Sequence, residues 1–165
     1  MELLIVRHGP AGDKAAWARK GRPDAERPLT LEGRKKTRKA MRGLAELAPK
    51  LAVIASSPLL RALETAQLLE KAFPKAKRVV APELSPESHP PYALELIARF
   101  GPAAAVVGHE PHLSCLLALA VGADWPICEL KKGGAALVEF HGKARAGEGR
   151  IRWLLTASQL GSFGR

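Results

Sequence analysis

Six short runs, each containing valine or isoleucine, punctuate this chain: Leu3–Val6, Leu51–Ala55, Arg78–Ala81, Ala103–Val107, Ala135–Phe140 and Ile151–Leu155. Segments of helical spacing separate the first five, near Leu31–Ala48, Leu59–Phe73, Tyr92–Phe100 and His112–Val121. Strand–helix alternation of this kind predicts parallel strands joined by crossover helices. The expected fold is an α/β single three-layer domain: a mostly parallel sheet with helices on both faces. No helix stands between the last two runs, and Gly142–Gly149 joins them like a hairpin, which predicts an antiparallel edge. No repeat, low-complexity tract or linker interrupts the pattern, so residues 1–165 are expected to form one domain.

Composition narrows the function. The net charge of +10 raises nucleic acid as a partner, but aromatic residues make up only 5% and do not interleave with arginine or lysine as a base-stacking surface requires. The densest basic run, Arg34 to Lys39, lies in a helix whose expected apolar positions are Leu31, Met41, Leu44, Ala45 and Ala48. Its charges are therefore read as a solvated face, and no nucleic acid is expected as partner. The positive charge can still draw in an anionic substrate or an acidic partner. No apolar stretch is long enough for a bilayer, and the first strand begins at residue two or three. No membrane association is expected, and the location is read as cytoplasmic. Cys115 and Cys128 lack metal-type spacing, and Cys115 reads as core.

The chemistry gathers where strands end. In "ELLIVRHGPAG" a doubly covered strand stops in Arg7 and His8 before Gly9 and Pro10 turn the chain. In "AVVGHEPH" a second strand ends in Gly108 and His109. In "LAVIASSPLLRALETA" a third leads into a helix for which Ser57 is the expected N-cap, with Pro58 in the first turn. Arg61 stands in that first turn, off the apolar stripe of Leu59, Ala62, Leu63, Ala66, Leu69 and Phe73. A cation there opposes the helix dipole, so an anion bound beside it would account for the position. The carboxyl edge of an open α/β sheet is where ligands bind.

Two arginines and two histidines at one edge suit a phosphoryl group. Guanidinium groups clamp its nonbridging oxygens, and a neutral histidine whose other N–H is fixed by a carbonyl can attack phosphorus. A protonated second histidine could donate to the phosphoryl oxygens. This charge inventory calls for no cofactor and no metal. His112 lies three residues from His109, but the intervening Glu110-Pro111 does not match a zinc-binding pair on a helix. Trp17, Trp125 and Trp153 are scattered and read as packing residues; His89 and His141 read as loop and strand-end residues.

The ordered set "RHG" at Arg7–Gly9, "RPLTLEG" at Arg27–Gly33, "SSPLLRALETA" from Ser56 and "VVGHEP" from Val106 resembles the histidine phosphatase, or phosphoglycerate mutase-like, superfamily. The resemblance implies that His8 becomes phosphorylated and that Arg7, Arg61 and His109 form the phosphate pocket; beside its capping role, the Ser57 hydroxyl is a candidate for a further phosphate contact. It also puts Glu83 of "APELSPES" where the family's proton donor lies, although the acidic, glycine-rich continuation is missing; Glu87 is a poorer candidate. The short chain and its "PELSP" segment are similar to SixA-type phosphohistidine phosphatases. The expected substrate is accordingly a phosphorylated protein carrying phosphohistidine. The alternatives are a phosphatase of small phosphate esters, a mutase, or a basic binding module without catalysis.

Overall fold

The computed structural model describes residues 1–164. In chain order it contains β1 (Glu2–Arg7), α1 (Lys14–Ala18), α2 (Leu31–Leu47), β2 (Val53–Ser56), α3 (Leu60–Ala72), β3 (Lys77–Val80), α4 (Pro90–Ile97), β4 (Ala103–Gly108), α5 (His112–Val121), β5 (Ala135–Phe140), β6 (Gly149–Leu155) and α6 (Ala157–Phe163). Single 3-10 turns occupy Asp24–Glu26 and Pro82–Leu84.

All six strands join one sheet in the order β3-β2-β4-β1-β5-β6. The first four are mutually parallel, β5 pairs antiparallel with both β1 and β6, and β6 forms the edge. The expected α/β sandwich with an antiparallel edge is therefore present, and only β5 is reversed. Side chains of β1 alternate between two cores. Leu4 and Val6 join Met41, Leu44, Ala62 and Leu69 beneath α2, α3 and α6. Leu3 and Ile5 join Ala93, Ile97, Leu113 and Leu117 beneath α4 and α5. Covering both faces makes β1 and β4 apolar along most of their length, which is why they read as continuous runs rather than alternating ones.

Several local expectations differ. Leu31 is 83% exposed rather than part of the α2 stripe. Thr30 caps this helix by accepting the Gly33 N–H, which places Leu31 at its first residue, outside the buried face. Cys115 is half-buried instead of core. His89 is not isolated, because its ring meets Tyr92 edge-on at 6.0 Å. The short helices α1 and α6 carry too little periodicity to be read from sequence. Most of the basic run behaves as expected, with Lys35, Lys36, Arg38 and Lys39 exposed on α2, but Arg34 is half-buried and paired with Glu64. No helix among the described residues is long and apolar enough to cross a membrane.

Candidate active site

Parallel strands deliver their carboxyl ends to one edge, and the reversed β5 brings its preceding loop to the same place. Hydrogen bonding continues past the strand ends: the His8 N–H donates to the Gly108 carbonyl at 3.0 Å, and the Ser57 N–H to the Val107 carbonyl at 3.0 Å. His8 and Ser57 are therefore held by the sheet ladder itself, and His109 follows directly on Gly108, the last residue of β4. From the other side, the Gly133 N–H donates to the carbonyls of both Arg7 (3.2 Å) and His8 (3.0 Å). That turn needs φ +74° at Gly133, a conformation costly for any side chain with a Cβ.

His8 is buried, and its Nδ1 donates to the Gly9 carbonyl at 2.7 Å. The proton on Nδ1 leaves the lone pair on Nε2. Gly9 is itself anchored, its N–H donating to Thr65 Oγ1 at 3.0 Å while that hydroxyl donates to the Arg61 carbonyl at 2.8 Å. No side chain fits at Gly9, because an added Cβ would overlap Thr37 Oγ1. The His8 and His109 rings lie 5.0 Å apart between centroids, tilted by 51°.

Ser57 does not cap α3. The helix begins at Leu60 with Leu59 in the cap position and no side-chain cap bond. The Ser57 hydroxyl accepts the Leu59 N–H at 3.3 Å and lies 2.8 Å from His109 Nε2. Either atom of this pair can donate, according to the His109 tautomer, and the other ring nitrogen, Nδ1, is buried and has no partner among the described residues.

Arg61 is gripped on both terminal nitrogens and Arg7 on one. Arg61 Nη1 donates to the Asp24 carbonyl and Nη2 to Asp24 Oδ2, both at 3.0 Å. Arg7 Nη1 donates to Glu129 Oε1 at 3.0 Å and to the Leu130 carbonyl at 2.6 Å. In both cases Nε is buried and unpartnered among the described residues. Two orphaned buried donors, both on cations, are costly unless an anion completes them. The sequence pattern gave no sign of Asp24 and Glu129, which lie in loops without periodicity. Arg27 stood out only as the first residue of "RPLTLEG", with no role attached to it.

Burial chiefly lowers the pKa of His8, to about 4, with the charges of Arg61, Arg7 and Lys132 adding to the effect against the Gly9 hydrogen bond. Burial likewise brings His109 to about 3, assisted by His8, Arg61 and His112. Both rings are neutral at pH 7 in the free protein. The protonated second histidine expected from the sequence is therefore not the resting form: His109 is neutral in the free protein, and a bound dianion is what would favour its protonation. For Asp24, burial opposes the charge, but the hydrogen bonds and charges of Arg27 and Arg61 prevail and hold the carboxyl below its usual value.

Glu83 makes no side-chain hydrogen bond or ion pair with this network among the described residues. It is half-buried in the 3-10 turn and lines a surface groove with Tyr92, Glu95, Leu96 and Arg99. The Glu87 carboxylate is near enough for its charge to be felt by Arg61. His112 is buried beside this region, with both ring nitrogens unpartnered among the described residues. An apolar groove of about 300 Å³, lined in part by Ala48, Leu51, Phe73 and Lys75, lies at the opposite sheet edge.

Comparison with known proteins decides the family. The model of the histidine phosphatase superfamily (branch 1) matches residues 3–85. The chain belongs to the histidine phosphatase superfamily. A relative from Picosynechococcus sp. (strain ATCC 27264 / PCC 7002 / PR-6), itself uncharacterized, is 34% identical over 153 residues, covering 86% of this chain and 90% of its own. Among solved structures, the protein histidine phosphatase SixA bound to tungstate superposes with a TM-score of 0.80 at 25% identity, over 97% of this chain and 99% of SixA. A mutant phosphoserine phosphatase from Entamoeba histolytica, bound to phosphoserine, shares the fold at a TM-score of 0.71 and 14% identity, over 96% and 98% of the two chains. This histidine phosphatase-type chain is thus a phosphatase with a SixA-like structure.

Proposed function

We propose that the enzyme hydrolyses phosphohistidine on a protein, without a metal, through a phosphoryl group carried on Nε2 of His8. The observation carrying this reading is the His8 Nδ1–Gly9 hydrogen bond, which commits one ring nitrogen and frees the other. The depressed pKa keeps that nitrogen unprotonated. The free Nε atoms of Arg7 and Arg61 and a ring N–H of His109 are the donors for the nonbridging oxygens. Ser57 acts through His109 by holding its Nε2.

In the first step Nε2 of His8 forms a bond to phosphorus as the bond to the substrate nitrogen breaks, and the departing imidazole takes a proton from solvent. Water then attacks the enzyme phosphohistidine, releases phosphate and restores neutral His8. An imidazole leaving group makes little demand on a proton donor, which suits a site where Asp24 and Glu129 are engaged by arginines and Glu83 makes no hydrogen bond to the network among the described residues. The two guanidinium groups supply the positive charge, so chelators should leave turnover unchanged. The likeness to SixA, a protein histidine phosphatase, supports the same substrate class.

Quenching a reaction with labelled phosphohistidine protein in alkali tests the intermediate. The adduct should be stable in base, labile in acid, map to His8 and vanish in His8→Ala. A substrate panel tests the class: kcat/KM should be at least about tenfold higher for the phosphohistidine protein than for sugar or glycerol phosphates, equivalent to ~1.4 kcal/mol. Preference for a small ester would assign the enzyme to that class instead.

A further inference from the structure

Arg61 occupies an unfavourable place for a cation. It lies in the first turn of α3, where the helix dipole is positive, and it is only 5% exposed. Burial lowers its pKa, and the charge of Asp24 opposes that effect. A long, flexible side chain in such a setting needs a partner that sets the plane of its guanidinium. Asp24 provides it twice over. Its backbone carbonyl takes Nη1 and its carboxylate Oδ2 takes Nη2, so one residue grips both terminal nitrogens.

The other carboxylate oxygen is also engaged. Asp24 Oδ1 accepts from Arg27 Nε at 2.8 Å, and Arg27 Nη1 donates to the Gly12 carbonyl at 2.6 Å. Arg27 is buried, so Asp24 is braced from behind by a second immobile cation. A continuous chain thus runs from Gly12 through Arg27 and Asp24 to Arg61. It begins four residues beyond His8 and ends at the guanidinium whose Nε has no partner among the described residues.

We propose that Asp24, braced by Arg27, is the positioning residue for Arg61: it fixes both terminal nitrogens and thereby presents the free Nε to a phosphoryl oxygen. The proposal rests on the phosphoryl pocket put forward above. Its rival is a purely structural role, in which Asp24 secures the 24–27 turn through Arg27 and any effect on catalysis comes from general loosening of the fold, independent of Arg61.

A double-mutant cycle separates the two. Turnover of an aryl phosphate and inhibition by vanadate are measured for wild type, Asp24→Asn, Arg61→Ala and the double variant. Asp24→Asn is expected to lower kcat by a factor approaching roughly a hundred, the scale of a misplacement near 1 Å, with a smaller change in KM. Vanadate should weaken in parallel. In the Arg61→Ala background the same substitution should cost less than about threefold, because its effect has nothing left to act through. Equal losses in both backgrounds, or wild-type kcat in Asp24→Asn, overturn the positioning role. Wild-type kcat in Arg61→Ala would instead overturn the phosphoryl pocket. If Asp24→Asn fails to fold, Asp24→Glu, which retains the charge and displaces the carboxylate by one methylene, is carried through the same cycle with the same expected and overturning results.

Discussion

The two arginines of the pocket are held by the same chemistry with different tenacity. Arg61 is 6% exposed in its side chain, and its carboxylate partner is locked by Arg27. Arg7 is paired with Glu129, whose side chain is 61% exposed and has no second anchor among the described residues. One half of the site is a braced interior; the other is a rim. Asp24 is itself 35% exposed against 61% for Glu129, so the contrast rests on the buried Arg61 and the Arg27 brace. Losing the carboxylate leaves a buried cation uncompensated, whereas an exposed pair contributes between about 0 and 1 kcal/mol. Preorganisation is therefore concentrated on the α3 side, and the β1 side keeps a carboxylate that an incoming phosphate can displace.

The largest expected effect falls on the braced half. Arg61→Ala should lower kcat by about 10³, and Arg7→Ala by closer to 10², within the range found for losing one preorganised donor. Steady-state kinetics with one substrate suffices, and a larger loss at Arg7 would break the comparison. The next effect concerns protons. Folding depresses the pKa of His8 to about 4 and of His109 to about 3, from 6.5. Between those values the unfolded chain binds more protons than the folded one, so the stability from keeping the rings neutral is present above pH 6.5 and is lost on acidification toward 4. A loss on the order of 3 kcal/mol for each ring by pH 4 is expected in urea melts. It should shrink with bound tungstate, a dianion that favours the protonated rings. The acid limb of kcat/KM should likewise fall near pH 4, as a property of the histidine pair, and not near 6.5.

A smaller effect sharpens the link between the halves. Thr65→Val removes the acceptor for the buried Gly9 N–H and should destabilise the protein by about 1–3 kcal/mol. Thermal melts should show that loss, and kcat should fall with it, because Gly9 orients His8. The smallest effect belongs to the rim. Glu129→Gln should alter kcat and phosphate inhibition by less than about threefold, since an exposed pair is weak. A tenfold change there would show that Glu129 is not simply displaced.

The alternation of apolar runs and helical spacing carried the architecture because doubly buried strands leave no room for polar residues. The strand ends at His8 and His109 were legible for the same reason: polar side chains stand out where such a run stops. Asp24 and Glu129 were not legible. They lie in loops, and their significance depends on arginines 37 and 122 residues away in sequence. Ser57 was read as a helix cap because a serine before proline ordinarily is one. Only the fold brings His109 within reach of its hydroxyl.

The reversal of β5 has a consequence for variation. In a wholly parallel sheet every loop at the working edge follows a strand, so altering one tends to disturb the residue that strand delivers. Here the segment before β5 reaches that edge from outside the crossover units that present His8, Ser57 and His109. A library confined to residues 123–128, which stops short of the Glu129 and Leu130 that hold Arg7, would therefore sample new substrate preferences on an unchanged nucleophile.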